Sequence, residues 1–244
     1  MIFVIDSGNT YTKIGQFVDG KLVKIYQKDA ISDIVKTVRD YQPEKIIIGS
    51  VNFPVQQIKK EIKEILFYSI TSATPVPFTV RYETPETLGV DRLAGIAWAW
   101  KQFPGKNILV IDAGTCITYD FINRSGEYLG GGISPGMDLR FKSLNKFTVS
   151  LPELQFEEVE EDIQLIGNTT KRSILSGVIN GVIAEIEGII SEYSNKYGDL
   201  TIFMSGGSAI FFESRIKHSI FAFPNMVLLG LYSIYEYNFR KSKD

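Results

Sequence analysis

Ile2-Phe3-Val4-Ile5-Asp6-Ser7-Gly8-Asn9-Thr10 is echoed near mid-chain by Ile108-Leu109-Val110-Ile111-Asp112-Ala113-Gly114-Thr115. In both copies a run of β-favouring residues ends on an aspartate and turns through a glycine into hydroxyl-bearing residues. The continuations match as well. Thr12–Val18 leads into Asp19-Gly20 and Lys21-Leu22-Val23, while Ile117–Ile122 leads into Asn123-Arg124-Ser125-Gly126 and Glu127-Tyr128-Leu129. Each reads as a strand, a glycine-containing hairpin turn and a returning strand. The two aspartates stand 106 residues apart in a chain of 244, which predicts two similar α/β halves, 1–105 and 106–244.

Outward from the echo, the pattern alternates as α/β proteins do. Residues 44–51 read as a buried strand. Gln56–Leu66 reads as a helix, with Ile58, Ile62, Ile65 and Leu66 at helical spacing. Pro75, Pro77 and Pro85 mark an irregular segment from 74 to 88, and a helix is expected from near Asp91 to Phe103, closed by Pro104-Gly105. In the second half, Ser173 to about Lys196 is the longest amphipathic helix, stopped by Tyr197-Gly198-Asp199. Thr201–Met204 is a short strand opening into Ser205-Gly206-Gly207-Ser208. The acidic run Glu157–Asp162 reads as a solvated loop or a helix start.

Composition narrows the chemistry. With 44% apolar and 22% charged residues the chain is an ordinary globular sequence, and a net charge of −2 argues against a dedicated nucleic-acid binder. Cys116 is the single cysteine and His218 the single histidine, which excludes a disulfide framework and a zinc site. No stretch reads as a membrane span, and the N-terminus lacks the marks of a signal peptide, so a cytoplasmic protein is expected. Any catalysis must then rest on carboxylates, hydroxyls, backbone amides or bound cations. His218 is expected to be solvated, Cys116 buried, and Trp98 and Trp100 to be packing residues. Gly177 and Gly181, four apart on one helix, serve close packing within the chain or contact between two copies.

A strand that delivers an aspartate into a glycine and hydroxyl turn is suited to phosphate. Glycine lets the backbone approach, amides and hydroxyls hold phosphoryl oxygens, and the carboxylate positions a metal ion or its water shell. One copy alone reads as a tight turn after a strand. Two matched copies, facing each other, would grip the β- and γ-phosphates of a nucleotide from both sides. Gly130-Gly131-Gly132-Ile133-Ser134-Pro135-Gly136 reads as a loop able to wrap a ligand, and Ser205-Gly206-Gly207-Ser208 as a strand-to-helix switch favouring an anion. The P-loop and dinucleotide fingerprints are absent.

In this combination the sequence resembles the acetate and sugar kinase, heat-shock chaperone and actin superfamily, and within it the type III pantothenate kinases. The motifs that carry the resemblance are Asp6-Ser7-Gly8-Asn9-Thr10, Gly89-Val90-Asp91-Arg92, Asp112-Ala113-Gly114-Thr115, Gly131 to Gly136 and Ser205-Gly206-Gly207, in the family's order. The resemblance implies two duplicated ribonuclease H-like halves of the actin-like ATPase fold, with mixed central sheets flanked by helices. It implies ATP-dependent phosphorylation of pantothenate, the first step of coenzyme A biosynthesis, by a homodimer that engages neither nucleic acid nor membrane. ATP would come with Mg²⁺, and a monovalent cation, K⁺ or NH₄⁺, would sit at Asp112.

Residue by residue, the resemblance makes Asp6, Ser7, Gly8, Asn9, Thr10, Tyr11, Thr12 and Lys13 the first phosphate loop, with Asp6 a candidate for Mg²⁺. Thr115 would touch ATP, and Ser205, Gly206 and Gly207 would take the adenosine side, where the family usually begins with Thr. Tyr82, Gly89, Val90, Asp91, Arg92 and Thr169 would hold pantothenate, and the run Asn168-Thr169-Thr170 leaves open which threonine does so. Asp91 would be the base for the substrate hydroxyl, which also follows from its chemistry: a carboxylate at a helix start can orient an alcohol and accept its proton, beside an arginine able to take a carboxylate. The competing reading is that Asp91 only caps its helix and Arg92 only forms a surface ion pair. A non-catalytic nucleotide-binding regulator and a kinase for another small alcohol are the functional alternatives.

Overall fold

The computed structural model describes residues 1–8, 12–28, 30–50, 55–156 and 163–241. It divides into two compact units. Unit 1 takes Met1–Gly105, Phe121–Gly130 and the stretch from Asn225, and unit 2 takes Lys106–Asp120 and Gly131–Pro224. After residue 105 the chain thus re-enters unit 1 twice, which chain order alone does not indicate.

Unit 1 is built on β1 (Ile2–Ser7), β2 (Thr12–Val18), β3 (Lys21–Lys28), β4 (Lys45–Ser50) and β5 (Leu66–Ile70), in the order β3-β2-β1-β4-β5. The three hairpin strands are antiparallel, and β4 and β5 continue the sheet in parallel. Asp19 and Gly20 turn the β2–β3 hairpin with positive φ values of 48° and 77°, the backbone whose twist suits a two-residue hairpin. Phe3, Ile5, Ile14, Ile46 and Ile48 form a core with Ile34 and Val38 of α1 (Ile31–Tyr41) and Ile58 of α2 (Val55–Glu61).

α3 (Val90–Gln102) and α7 (Met226–Lys241) pack on this unit too. Gly15 and Gly49 leave room for Leu228 and Leu231 of α7, and Gly230 of α7 lies against the Ala94 carbonyl of α3, where no Cβ fits. Trp98 is buried and Trp100 covers Gly126, as packing residues do. The helix expected over Gln56–Leu66 stops at Glu61. Ile58 and Ile62 reach the core, but Leu66 is exposed and begins β5, paired with Lys45, because a parallel strand is needed beside β4.

The second sheet repeats the first. β7 (Asn107–Ala113), β8 (Cys116–Ile122), β9 (Glu127–Pro135), β10 (Leu200–Ser205) and β11 (Phe221–Ala222) lie in the order β11-β10-β7-β8-β9, with β6 (Thr79–Val80) beyond β9. Again a double hairpin is extended from its first strand by parallel partners. The glycines 130–132, expected in a loop, lie inside β9. Gly131 approaches β8 so closely that a Cβ would overlap the Tyr119 carbonyl.

Unit 2 adds α4 (Met137–Lys146), α5 (Thr170–Tyr197) and α6 (Ala209–Glu213). By length and composition α5 is long and apolar enough to cross a membrane, contrary to the expectation that no stretch would be. It is a core helix here: Ile174, Val178, Ile179, Val182, Ile186 and Ile190 are buried. Cys116 is half-buried rather than enclosed. His218 is half-buried rather than solvated, and its Nδ1 has no hydrogen-bond partner among the described residues. The acidic run Glu157–Asp162 lies outside the described residues.

Candidate active site

Gly89-Val90-Asp91-Arg92 forms the start of α3. Gly89 takes φ/ψ of −59°/132°, and Val90, Asp91 and Arg92 make the first turn. Asp91 Oδ1 accepts a hydrogen bond from the Arg92 backbone N–H at 2.9 Å. The carboxylate therefore folds back onto the first turn of its own helix, against the Arg92 N–H. A Cβ on residue 89 would overlap Asp91 Oδ1, so glycine is what lets the carboxylate lie there. Arg92 is 8% exposed, which is no surface ion pair.

Tyr82 joins this group from the irregular segment. Its ring centre lies 5.7 Å from the Arg92 guanidinium and 6.4 Å from the ring of buried Tyr128. Gly130, with φ of 91°, gives the Tyr82 ring room against β9. The segment is hung there by main-chain bonds: Thr79 N–H donates to Gly126 O and Arg81 N–H to Tyr128 O, both at 2.9 Å. An Arg81–Glu127 ion pair at 2.8 Å adds to them. Tyr82, Gly89, Val90, Asp91 and Arg92 are thus one cluster of unit 1.

The first phosphate turn is also in unit 1. Asp6 sits across from Lys13 in β2 and Gly49 in β4. Ser7 and Thr12 are buried at the base of the turn, with the Thr12 hydroxyl donating to Ser7 Oγ at 3.4 Å. Gly8 is exposed. Asn9, Thr10 and Tyr11 lie outside the described residues.

In unit 2, Asp112 stands near the end of β7 opposite Ser205 of β10. The exposed turn Gly114-Thr115 is closed by Gly114 N–H donating to Cys116 O at 3.0 Å, Gly136 N–H to Thr115 O at 3.0 Å and Ser208 N–H to Ala113 O at 3.1 Å. Gly206, with φ of 91°, lies where a Cβ would overlap the Ala113 carbonyl, and at Gly136 one would overlap the Gly114 and Thr115 carbonyls. Segments 134–136 and 205–208 therefore close backbone to backbone on the 112–115 turn. Ser205 is buried and Gly207 exposed.

The donors of this cradle are a carboxylate and carbonyls, an all-oxygen set that suits a hard cation. Among the described residues no three His, Cys, Asp or Glu side chains gather as a metal site. Asp6 and Asp112 are the carboxylates at the two turns that could each hold such a cation.

Thr169 belongs to unit 2 as the N-cap of α5, its hydroxyl oxygen accepting from Arg172 N–H at 3.2 Å. Thr170 is the first residue of that helix. Sequence motifs did not indicate a polar group beside the second turn, formed by Tyr119, Ser134, Arg140 and Glu185. The Tyr119 hydroxyl donates to Glu185 at 2.9 Å, and Arg140 pairs with Glu185 and donates to Ser134 Oγ at 2.9 Å. Burial pushes the Tyr119 hydroxyl well above its ordinary range, and the Glu185 charge adds to that. Burial also raises Glu185, but hydrogen bonds from Arg140, Ser134 and Tyr119 outweigh it and hold the carboxyl below its usual range. One signal was available: Glu185 falls in the apolar stripe of α5, three residues after Val182, and a carboxylate there must find partners.

Comparisons with known proteins bear on the family and the fold. Residues 2–192 match the family described as type III pantothenate kinase. A type III pantothenate kinase of Cytophaga hutchinsonii is 41% identical over 239 residues, 98% of this chain and 100% of that one. Among solved structures, a conserved putative Baf family transcriptional activator from Campylobacter jejuni aligns with a TM-score of 0.65 at 22% identity, over 98% of this chain and 99% of that one. A putative N-acetylmannosamine kinase from Listeria monocytogenes aligns with a TM-score of 0.55 at 14% identity, over 100% and 99% of the two chains. These two show the fold, that of actin-like ATPases and sugar kinases. The chain belongs to the type III pantothenate kinase family.

Proposed function

We propose that Asp91 is the base through which this chain, a pantothenate kinase of coenzyme A biosynthesis, transfers the γ-phosphoryl group of ATP to the pantothenate hydroxyl. The observation that carries this assignment is the acceptor cluster itself. Asp91 is held at a helix start beside buried Arg92, with Tyr82 over the guanidinium. Arg92 offers a fork for the pantothenate carboxylate, and Tyr82 a face for its apolar body. Asp91 orients the hydroxyl and takes its proton as the oxygen bonds to γ-phosphorus and the bond to the ADP oxygen breaks.

The turns after Asp6 and Asp112, with Thr115, take the phosphates, and Ser205-Gly206-Gly207 takes the adenosine side. Asp6 would hold Mg²⁺ brought with ATP, which would supply neutralisation of phosphate charge, and Asp112 would hold a monovalent cation, K⁺ or NH₄⁺. Two copies form a homodimer. In support, no described residue lies within 4 Å of a Cβ built on Gly177 or Gly181, so these glycines do not serve packing among the described residues. Phe147, Leu165 and Ile166 stand about four-fifths exposed, at 79%, 81% and 83%, as apolar surface for a second copy to cover. The enzyme works in the cytoplasm, where its substrates are.

The test is Asp91→Asn, followed by coupled ADP release with pantothenate and with a panel of sugars, with and without K⁺. Turnover with pantothenate is expected to fall roughly 10²–10⁴-fold, the range of general-base catalysis, while nucleotide affinity and Tm hold. Near-normal turnover in this variant removes Asp91 from the role, and release of ADP with a sugar but not pantothenate overturns the substrate.

A further inference from the structure

The segment that closes on the turn after Asp112 is the end of β9, where Gly131 packs against the β8 backbone. Beyond Gly131 its side chains add little: Gly132 and Gly136 have none, and Ile133 is 64% exposed. Arg140 ties this end down. It lies one turn into α4, and its side chain runs back past the helix start, as helical side chains do. Its Nε donates to Pro135 O at 2.8 Å, and its Nη2 donates to Ser134 Oγ at 2.9 Å and pairs with Glu185 of α5. Glu185 is anchored in turn by the Tyr119 hydroxyl of β8 at 2.9 Å. The residue after Pro135 is Gly136, whose N–H reaches Thr115 O at 3.0 Å.

We propose that Arg140 is a positioning residue for nucleotide binding, which fixes Ser134-Pro135-Gly136 and, through the Gly136 N–H, sets the Thr115 turn. The proposal rests on the reading of Thr115 as a contact of ATP. Arg140 is no phosphate ligand itself, since its charge is engaged by Glu185. Its fork matters: Nε and Nη2 hold two points of the segment at once, which a lysine ammonium on a flexible stem does not reproduce.

The experiment compares Arg140→Lys, Ser134→Ala and Thr115→Val in the full chain. Affinity for Mg²⁺ and a non-hydrolysable ATP analogue is measured by calorimetry, the KM values for ATP and pantothenate by coupled assay, and Tm by scanning. Arg140→Lys keeps the ion pair with Glu185 but loses the fork. It is expected to weaken nucleotide binding about tenfold, or ~1.4 kcal/mol, and to raise KM for ATP while KM for pantothenate stays within about twofold. Ser134→Ala is expected to do the same by a smaller factor. Wild-type nucleotide affinity in Arg140→Lys, or equal rises in the two KM values, overturns the proposal. If Arg140→Lys does not fold, unchanged nucleotide affinity in Ser134→Ala overturns it instead. Wild-type affinity in Thr115→Val with weakened Arg140→Lys supports the positioning role and discards the Thr115 side-chain contact. Impaired Thr115→Val with wild-type Arg140→Lys does the reverse.

Discussion

Gly89→Ala tests the placement of the Asp91 carboxylate without removing it. The backbone at residue 89, at φ/ψ of −59°/132°, is open to alanine, so no strain arises there. The new methyl group would overlap Asp91 Oδ1, and its next neighbours are Arg92 Cγ and Cδ at 3.6 Å, an ordinary contact. A carboxylate at the end of a side chain yields before the main chain does. Turning it away breaks the charge-assisted bond from Arg92 N–H, worth roughly 1.5–3 kcal/mol. A stiffer unfolded chain returns roughly 0.4–1 kcal/mol. A net loss of about 1–2 kcal/mol corresponds to a fall in Tm of about 2–8 °C at this chain length. Catalysis should suffer more, since displacing a reacting group by about 1 Å costs on the order of 100-fold.

The assay is pantothenate-dependent ADP release beside thermal unfolding, in the wild type, Gly89→Ala, Asp91→Ala and the double variant. In Asp91→Ala the methyl group meets no carboxylate, so adding Gly89→Ala is expected to leave turnover unchanged and to raise Tm slightly. Wild-type turnover in Gly89→Ala, or losses that simply add in the double variant, would refute the reasoning.

Gly230→Ala tests how closely α3 and α7 pack. Here the added Cβ meets the Ala94 backbone, which cannot turn aside, so overpacking of roughly 1–3 kcal/mol exceeds the ~1 kcal/mol gain in helix propensity. A fall in Tm of several degrees is expected, and an unchanged or higher Tm defeats the close-packing account. The Glu185 network makes stability depend on pH. Because the folded carboxyl titrates below the ordinary glutamate range, its contribution is present above about pH 4.3 and is lost as pH falls through the folded value. The Tm gap between wild type and Glu185→Gln is therefore expected to narrow on acidification below that range. A gap independent of pH rules the linkage out.

The hairpins were legible because their signals are local. Asp19-Gly20 sets a turn by its own φ preferences, and alternation in Thr12–Val18 marks one face for burial. The acceptor motif was legible for the same reason: Gly89 and Asp91 meet within one helical turn. What was not legible depends on contacts far along the chain. The helix at Gln56 ends early because of a parallel strand it does not contain. α7 follows the second-half elements in sequence yet packs on β1 and α3, and nothing in its apolar pattern names the sheet it covers. Gly130–Gly132 read as a loop since glycine weakens strands, but Gly131 is needed where the β8 backbone comes too near for a side chain.

The repeat itself runs deeper than the two aspartate motifs, and the part that sequence hides is where the halves diverged. The orders β3-β2-β1-β4-β5 and β9-β8-β7-β10-β11 superpose Asp6 on Asp112, and with them the parallel partners Gly49 and Ser205. Ser205 leads into Gly206, which takes a positive φ and closes on the Ala113 carbonyl. Gly49 occupies the same register but is filled from the side by Leu231 and Val90, 2.5 Å and 3.1 Å from where its Cβ would be. That strand end has become a seat for α7 and for the start of α3. Packing Val90 there is what sets Asp91 at its place in the first turn. The same strand end thus carries the Ser-Gly-Gly turn in unit 2 and seats the start of α3, with Asp91, in unit 1. Only the first use leaves a Ser-Gly-Gly signature, which is why the kinship of residues 49 and 205 emerges from register and not from residue identity.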